Sequence, residues 1–163
     1  MLEVGFDITT PNEKLTISSW VYDYVIKLGL DVMDNRALEV PCYLPGYTFI
    51  EKLSAISGKY QKEKEGTVMP VNFIRHYYDI YQLLGNESVQ KFIGTKEYLE
   101  HKMNRFRVSD GTDLTKNEAF ILSDRSTRKR YAEEYKRTQA LYYGGFPDFD
   151  KILERIQSNL GRL

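Results

Sequence analysis

The pattern of apolar and polar residues predicts a short strand-forming part at the start of the chain. Leu2, Val4 and Phe6 alternate with polar or small neighbours, which is the two-residue period of a strand with one buried face. The later segment ALEVPCYLP is also predicted to be extended, and Pro41 and Pro45 restrict it to an edge or terminal position.

The rest of the chain has the spacing of amphipathic helices. A loop is predicted for VSDGTDLTKNEA. We therefore predict an α+β, predominantly α protein, with a strand-bearing part over residues 1–46 and a helical bundle over residues 47–163. The predicted helices are TISSWVYDYVIKLGL ending near Gly29, residues 49–61 with Thr48 and Glu51 as a capping box, residues 71–84, NESVQKFI, GTKEYLEHKMNRF capped by Thr95, a long helix from an N-cap at Ser123 to Gly144, and FPDFDKILERIQSNL.

Composition and charge exclude several classes of protein. The 23 basic and 23 acidic residues cancel, so no overall field attracts nucleic acid or an anionic membrane. One cysteine and two histidines argue against a disulfide framework and against a zinc site. No apolar run approaches the ~18 residues of a membrane span. A cytoplasmic protein without a membrane partner is expected.

Lys52 is the first candidate for chemistry. Phe49, Leu53 and Ile56 form one apolar stripe of the predicted helix, and Lys52 lies at the edge of that stripe. A lysine in this position either extends its ammonium to water or points it into a cleft, where it can bind a phosphate. The helical pattern leaves both interpretations open.

Asp79 is the second candidate, on the predicted helix over residues 71–84. Arg75 lies four residues earlier on the same polar side, which fits a simple ion pair between successive turns. The alternative is that Asp79 faces a site while Arg75 orients it or binds an anion. His76 is interpreted as a surface or packing residue, since no second histidine is near it in the sequence.

Glu3 is a candidate metal ligand on the polar side of the first predicted strand. A strand carboxylate of this kind is either the wet face of the sheet or a ligand that holds a divalent cation against triphosphate oxygens.

A concentration of basic residues marks the predicted long helix. A solvated helix face is favoured over an RNA or phosphate contact, since Glu133 and Glu134 interrupt the run. Neither a Walker loop nor a G-x-G-x-x-G motif is present in the sequence. The basic residues are Arg125, Arg128, Lys129, Arg130, Lys136 and Arg137.

Three segments in order resemble the nucleotidyltransferase AbiEii/AbiGii toxin family: LEVGFDITTPNEKLTISSWVYDYV, VPCYLPGYTFIEKLSAI and RHYYDIYQLL. The closing RYAEEYKRTQALYYGGFPDFDKILERI is also similar to the C-terminal helices of that family. The resemblance covers nearly the whole chain and rests on the ordered set of motifs.

The resemblance implies part of a polymerase-β-like nucleotidyltransferase fold followed by a helical domain. It implies a toxin of a toxin–antitoxin or phage-defence system that transfers a nucleotide from an NTP to a target such as tRNA, with Mg²⁺ as cofactor. Lys52 matches the lysine of the family's E-K-L motif, and Arg75 and Asp79 match its R-x-x-x-D motif. Lys52 and Asp79 are then catalytic, Lys52 and Arg75 bind the nucleotide, and Glu3 helps to hold the metal.

One motif of the family has no match in the chain. The Gly-Ser turn followed by an Arg-x-[ST]-x-Asp-x-Asp run, which supplies the main metal-binding carboxylates of the family, is not found in the 163 residues. We therefore expect a C-terminal portion of a toxin that is inactive alone, because the developing phosphoryl charge lacks its neutralising metal. The alternative is a non-catalytic helical binding module that pairs with an antitoxin or with a separately encoded N-terminal half.

Overall fold

The computed structural model describes residues 10–68, 73–142 and 145–163, apart from the side chain of Val108. The strand predicted from Leu2 to Phe6 lies outside these residues. The chain divides into two compact units, Met1–Leu44 and Pro45–Leu163. The first holds a small sheet and the second is helical, so the predicted α+β, mainly α class is confirmed.

The described part of the first unit is a two-stranded antiparallel sheet with one helix between the strands. Strand β1 (Asn12–Ile17) pairs with β2 (Ala37–Tyr43), and α1 (Trp20–Lys27) connects them. Ser19 caps α1 by accepting a hydrogen bond from a backbone N–H of its first turn. The extended segment that contains Pro41 is confirmed as β2, and a two-stranded sheet consists of edge strands only, where proline is tolerated.

The second unit is built around one long helix, α2 (Pro45–Lys64), which contacts several of the shorter helices. Phe49, Leu53 and Ile56 on its apolar stripe are fully buried, as predicted. The other α-helices of this unit in the described segments are α3 (Arg75–Leu83), α4 (Glu87–Phe92), α5 (Lys96–Arg105), α6 (Glu118–Ile121), α7 (Arg125–Arg137) and α8 (Phe149–Gln157).

Several helix ends differ from the prediction for identifiable reasons. Helix α2 begins at Pro45, because proline is favoured at the first helical position; Thr48 is therefore inside the helix, and its assignment to a capping box is wrong. Helix α7 is capped by Asp124 rather than Ser123 and ends at Arg137, well before the predicted stop. The predicted cap at Thr95 is confirmed.

The predicted loop VSDGTDLTKNEA contains three short helical segments. Two are three-residue 3₁₀ turns, Val108–Asp110 and Leu114–Lys116, and the third is the beginning of α6. Side chains of Asp113 and Asn117 accept hydrogen bonds from the backbone N–H groups that begin the second turn and α6. Local capping of this kind produces order without a long hydrophobic period.

Aromatic residues fix the position of α3 in the core. Tyr77 is fully buried, and its ring meets those of Phe73, Tyr131 and Phe149 edge to face. Its hydroxyl donates a hydrogen bond to the carbonyl of Ala119 at 2.6 Å. His76 and Asp79 of the same helix contact α2. Within the three described segments, no helix is long and apolar enough to cross a membrane.

Candidate functional site

Helices α2 and α3 bring the two sequence-predicted residues Lys52 and Asp79 together. The Lys52 Nζ lies 3.0 Å from Asp79 Oδ2, with 26% of the lysine side chain and 32% of the aspartate side chain exposed. Lys52 precedes the buried Leu53 and Asp79 precedes the buried Ile80, so each lies at the border between core and solvent. The pair is therefore partly screened from water and remains accessible to a ligand.

His76 joins this pair, although the sequence indicated a surface or packing residue. Its side chain is 11% exposed, and its Nδ1 lies 3.4 Å from Lys52 Nζ and 3.6 Å from Asp79 Oδ2. Its Nε2 lies 3.3 Å from the Nζ of Lys59. Each ring nitrogen of His76 therefore lies beside a lysine ammonium, which can only donate, and Nδ1 lies beside the Asp79 carboxylate as well. A neutral imidazole accepts at one ring nitrogen and donates from the other.

The surroundings fix the charge states of the cluster. Burial lowers the pKa of His76, and the ammonium groups of Lys52 and Lys59 lower it further. Burial alone would raise the pKa of Asp79, but its contacts with His76 and Lys52 hold it below its usual value. Burial also lowers the pKa of Lys59, helped by the nearby charges of Arg75 and Lys52. At neutral pH the site holds a carboxylate and a neutral imidazole.

Arg75 is exposed on the first turn of α3. The ion pairs of Asp79 within the described segments are with Lys52 and His76, rather than with Arg75 four residues away. The charge of Arg75 nevertheless lowers the pKa of Lys59. Arg75 thus contributes positive potential to the cluster while its guanidinium faces solvent.

The described residues do not fit a magnesium ion. No group of three or more His, Cys, Asp or Glu side chains in this part of the chain is arranged to hold a metal. The Asp79 carboxylate already forms an ion pair with the Lys52 ammonium. Asp148 and Asp150, an Asp-x-Asp pair at the start of α8, do not supply such a group either, since Asp150 binds an arginine of α7 at 2.7 Å. Glu3, the predicted metal ligand, lies outside the described residues.

Among the described residues, three of the six basic residues of α7 form ion pairs with carboxylates. Arg128 binds Asp150 through two guanidinium nitrogens. Arg130 lies 2.5 Å from a carboxylate oxygen of Glu63, and Arg137 binds a glutamate of its own helix. These pairs support the interpretation of this region as a solvated face.

Sequence reasoning missed two residues of the cluster, His76 and Lys59. Helical spacing could have revealed both. Lys59 lies seven residues after Lys52, which is two turns along the same face of α2. His76 lies three residues before Asp79, one turn away on α3.

Fold and site define a mainly helical protein in which α2 and α3 meet at a half-buried lysine–aspartate pair. Residues 1–155 match the sequence model of a family described as nucleotidyl transferase AbiEii toxin, Type IV TA system. The chain belongs to this family of toxin–antitoxin nucleotidyltransferases, and the resemblance found in the sequence is confirmed. No curated protein and no solved structure gives a significant match.

Proposed function

We propose that Lys52 binds a phosphate of a nucleoside triphosphate, in a protein whose family activity is to transfer a nucleotide to a target such as tRNA. The observation that carries this proposal is the 3.0 Å contact between Lys52 and Asp79 across two helices. The two residues come from separate motifs of the family, and in the folded chain they lie side by side. Membership of a nucleotidyltransferase family supports a nucleotide as the ligand.

Asp79 acts in this proposal as a positioning residue. A lysine ammonium has three N–H donors, so Asp79 can occupy one while a phosphate oxygen accepts another. Because the pKa of Asp79 is lowered, its carboxylate is a poor proton acceptor at neutral pH. Its role is to hold the Lys52 ammonium in place. Arg75, exposed on the first turn of α3, offers a second cation to the same polyphosphate.

The proposed role of magnesium depends on groups beyond the described residues. Family membership implies a divalent metal, and Glu3 is proposed as one of its ligands. Since the described residues do not form a metal site, we derive no catalytic step through the ion. We propose that the chain binds nucleotide but transfers none until the missing metal-binding carboxylates are supplied. Incubation with Mg²⁺, labelled NTPs and bulk tRNA should leave the tRNA unlabelled, and strong labelling would refute this.

Calorimetric titration of the full chain with each NTP tests the nucleotide site. The wild-type protein should bind, and Lys52→Met should lose about tenfold or more in affinity, because a hydrogen bond to a charged group contributes roughly 1.5–3 kcal/mol. Lys96→Met is the matched control, since Lys96 is 83% exposed and pairs only with a glutamate of its own helix among the described residues. Equal binding by the two variants would contradict the proposal.

The alternative, a non-catalytic module that binds an antitoxin or an N-terminal half, has its own support. In the first unit, large apolar side chains are exposed, among them Trp20 at 81%, Met33 at 87% and Leu38 at 68%. Exposed apolar patches often mark protein interfaces. A stable protein complex with no NTP binding to either component would favour this alternative.

A further inference from the structure

A groove of about 310 Å³ lies on the side of α2 that faces the end of α5. Lys59 and Lys62 enter it from α2, Arg105 from the last turn of α5, and Arg107 from the segment that follows. Lys62 and Arg107 are exposed, so the groove opens to solvent. Three stretches of chain therefore direct cationic side chains into one depression.

The two carboxylates in the groove are already occupied. Glu51 forms an ion pair with Arg105, and its Oε1 lies 2.9 Å from the Nε2 of His101. Asp110 accepts hydrogen bonds from the Arg107 backbone N–H and the Ser109 hydroxyl, each at 3.2 Å.

The cations of the groove are less completely neutralised than its carboxylates. Within the described segments, Lys62 and Arg107 form no ion pair with a carboxylate, whereas the ammonium of Lys59, another lining residue, lies 3.3 Å from Nε2 of His76. The groove therefore carries an excess of positive charge. Excess positive charge in a concave surface attracts phosphate groups.

Gly58 forms part of the groove wall. It lies in the interior of a 20-residue helix, where glycine is a poorer helix former than alanine. Packing does not require it, because an added Cβ would meet only the Asp110 carboxylate, at 3.5–3.7 Å, which is ordinary contact. The absence of a side chain at this position keeps the groove open.

We propose that this groove binds phosphate groups of an RNA strand. Arg107 and Lys62 supply the solvent-facing contacts, a guanidinium suited to two phosphate oxygens and an ammonium acting as a point charge. Lys59 belongs to both regions, since it lines the groove and contacts His76. The choice of RNA as the strand rests on the proposed function, whereas the phosphate chemistry rests on the groove itself.

Fluorescence anisotropy of the full chain with a short labelled single-stranded RNA tests this site. Arg107→Gln and Lys62→Gln should each weaken binding about tenfold and reduce the salt dependence of log K by about 0.7 per lost contact. The matched controls Arg137→Gln and Lys96→Gln remove exposed charges elsewhere. Groove variants that bind like their controls would overturn the proposal.

Three further measurements distinguish an RNA-binding groove from a free-polyphosphate site and from the nucleotide site at Lys52. Gly58→Ala should weaken RNA binding without lowering the urea midpoint of unfolding, and retention of full affinity would contradict the groove. Inorganic triphosphate is titrated in parallel. If the groove variants lose triphosphate binding but keep RNA binding, the ligand of the groove is a free polyphosphate rather than an RNA strand, and the proposal is overturned. Lys52→Met tests the nucleotide site separately. It should retain RNA binding, and this result does not depend on whether its NTP binding is weakened.

Discussion

Breaking the pair between Lys52 and Asp79 should destabilise the protein by about 1–2 kcal/mol. Two unit charges at 3.0 Å attract by about 5 kcal/mol at an effective dielectric constant of 20, before the cost of desolvation. Exposed pairs contribute only ~0.2–1 kcal/mol, and breaking buried pairs costs ~3–5 kcal/mol. The Lys52 and Asp79 side chains are 26% and 32% exposed, so the loss of stability on breaking their pair should lie between these two ranges.

A double-mutant cycle isolates this interaction from packing. Lys52→Met retains the length of the aliphatic stem, and Asp79→Asn retains the shape of the side chain. Urea unfolding followed by circular dichroism should show that the double variant loses less stability than the sum of the single losses, by about 1 kcal/mol. Losses that add within about 0.3 kcal/mol would show that the two side chains do not interact in solution.

The pKa of His76 is lower in the fold than its ordinary value of 6.5, so the stability that depends on its neutral form is fully present above about pH 6.5 and is lost as pH falls from there through the lowered pKa; His76→Gln should flatten the pH dependence of the urea midpoint between about pH 7.5 and 5.5, and an unchanged slope would contradict the assignment. Tyr77→Phe should cost about 1–3 kcal/mol, because it leaves the buried carbonyl of Ala119 without its donor; a neutral effect at an unchanged m value would refute it. Gly46→Ala should cost about 1–3 kcal/mol, since its Cβ would collide with the ring of Phe92; unaltered thermal unfolding would show that the ring moves freely.

The helices of the second unit could be predicted from the sequence because their apolar period is strong. The stripe of Phe49, Leu53 and Ile56 is an example, and all three residues are fully buried. Strand β1 was missed because only Leu15 and Ile17 in it are apolar, and both are exposed, at 42% and 44%. Pairing with β2, rather than a local pattern, defines that strand.

The candidate site could be predicted only in part. The family motifs identify Lys52, Arg75 and Asp79, but the partner of each charge depends on how α2 packs against α3. The helical period favoured an ion pair between Arg75 and Asp79, whereas in the folded chain Asp79 forms an ion pair with Lys52. The position of His76 between two ammonium groups is equally a tertiary effect.

The most direct test of the central claim is to observe the Lys52 ammonium during titration with nucleotide. In ¹⁵N-labelled protein, the side-chain ammonium signal of Lys52 is assigned by its loss in Lys52→Met. If Lys52 binds a phosphate, this signal should shift saturably as NTP is added, in parallel with calorimetric binding, while the signal of exposed Lys96 does not. NTP binding that leaves the Lys52 signal unmoved would show that Lys52 does not contact the nucleotide.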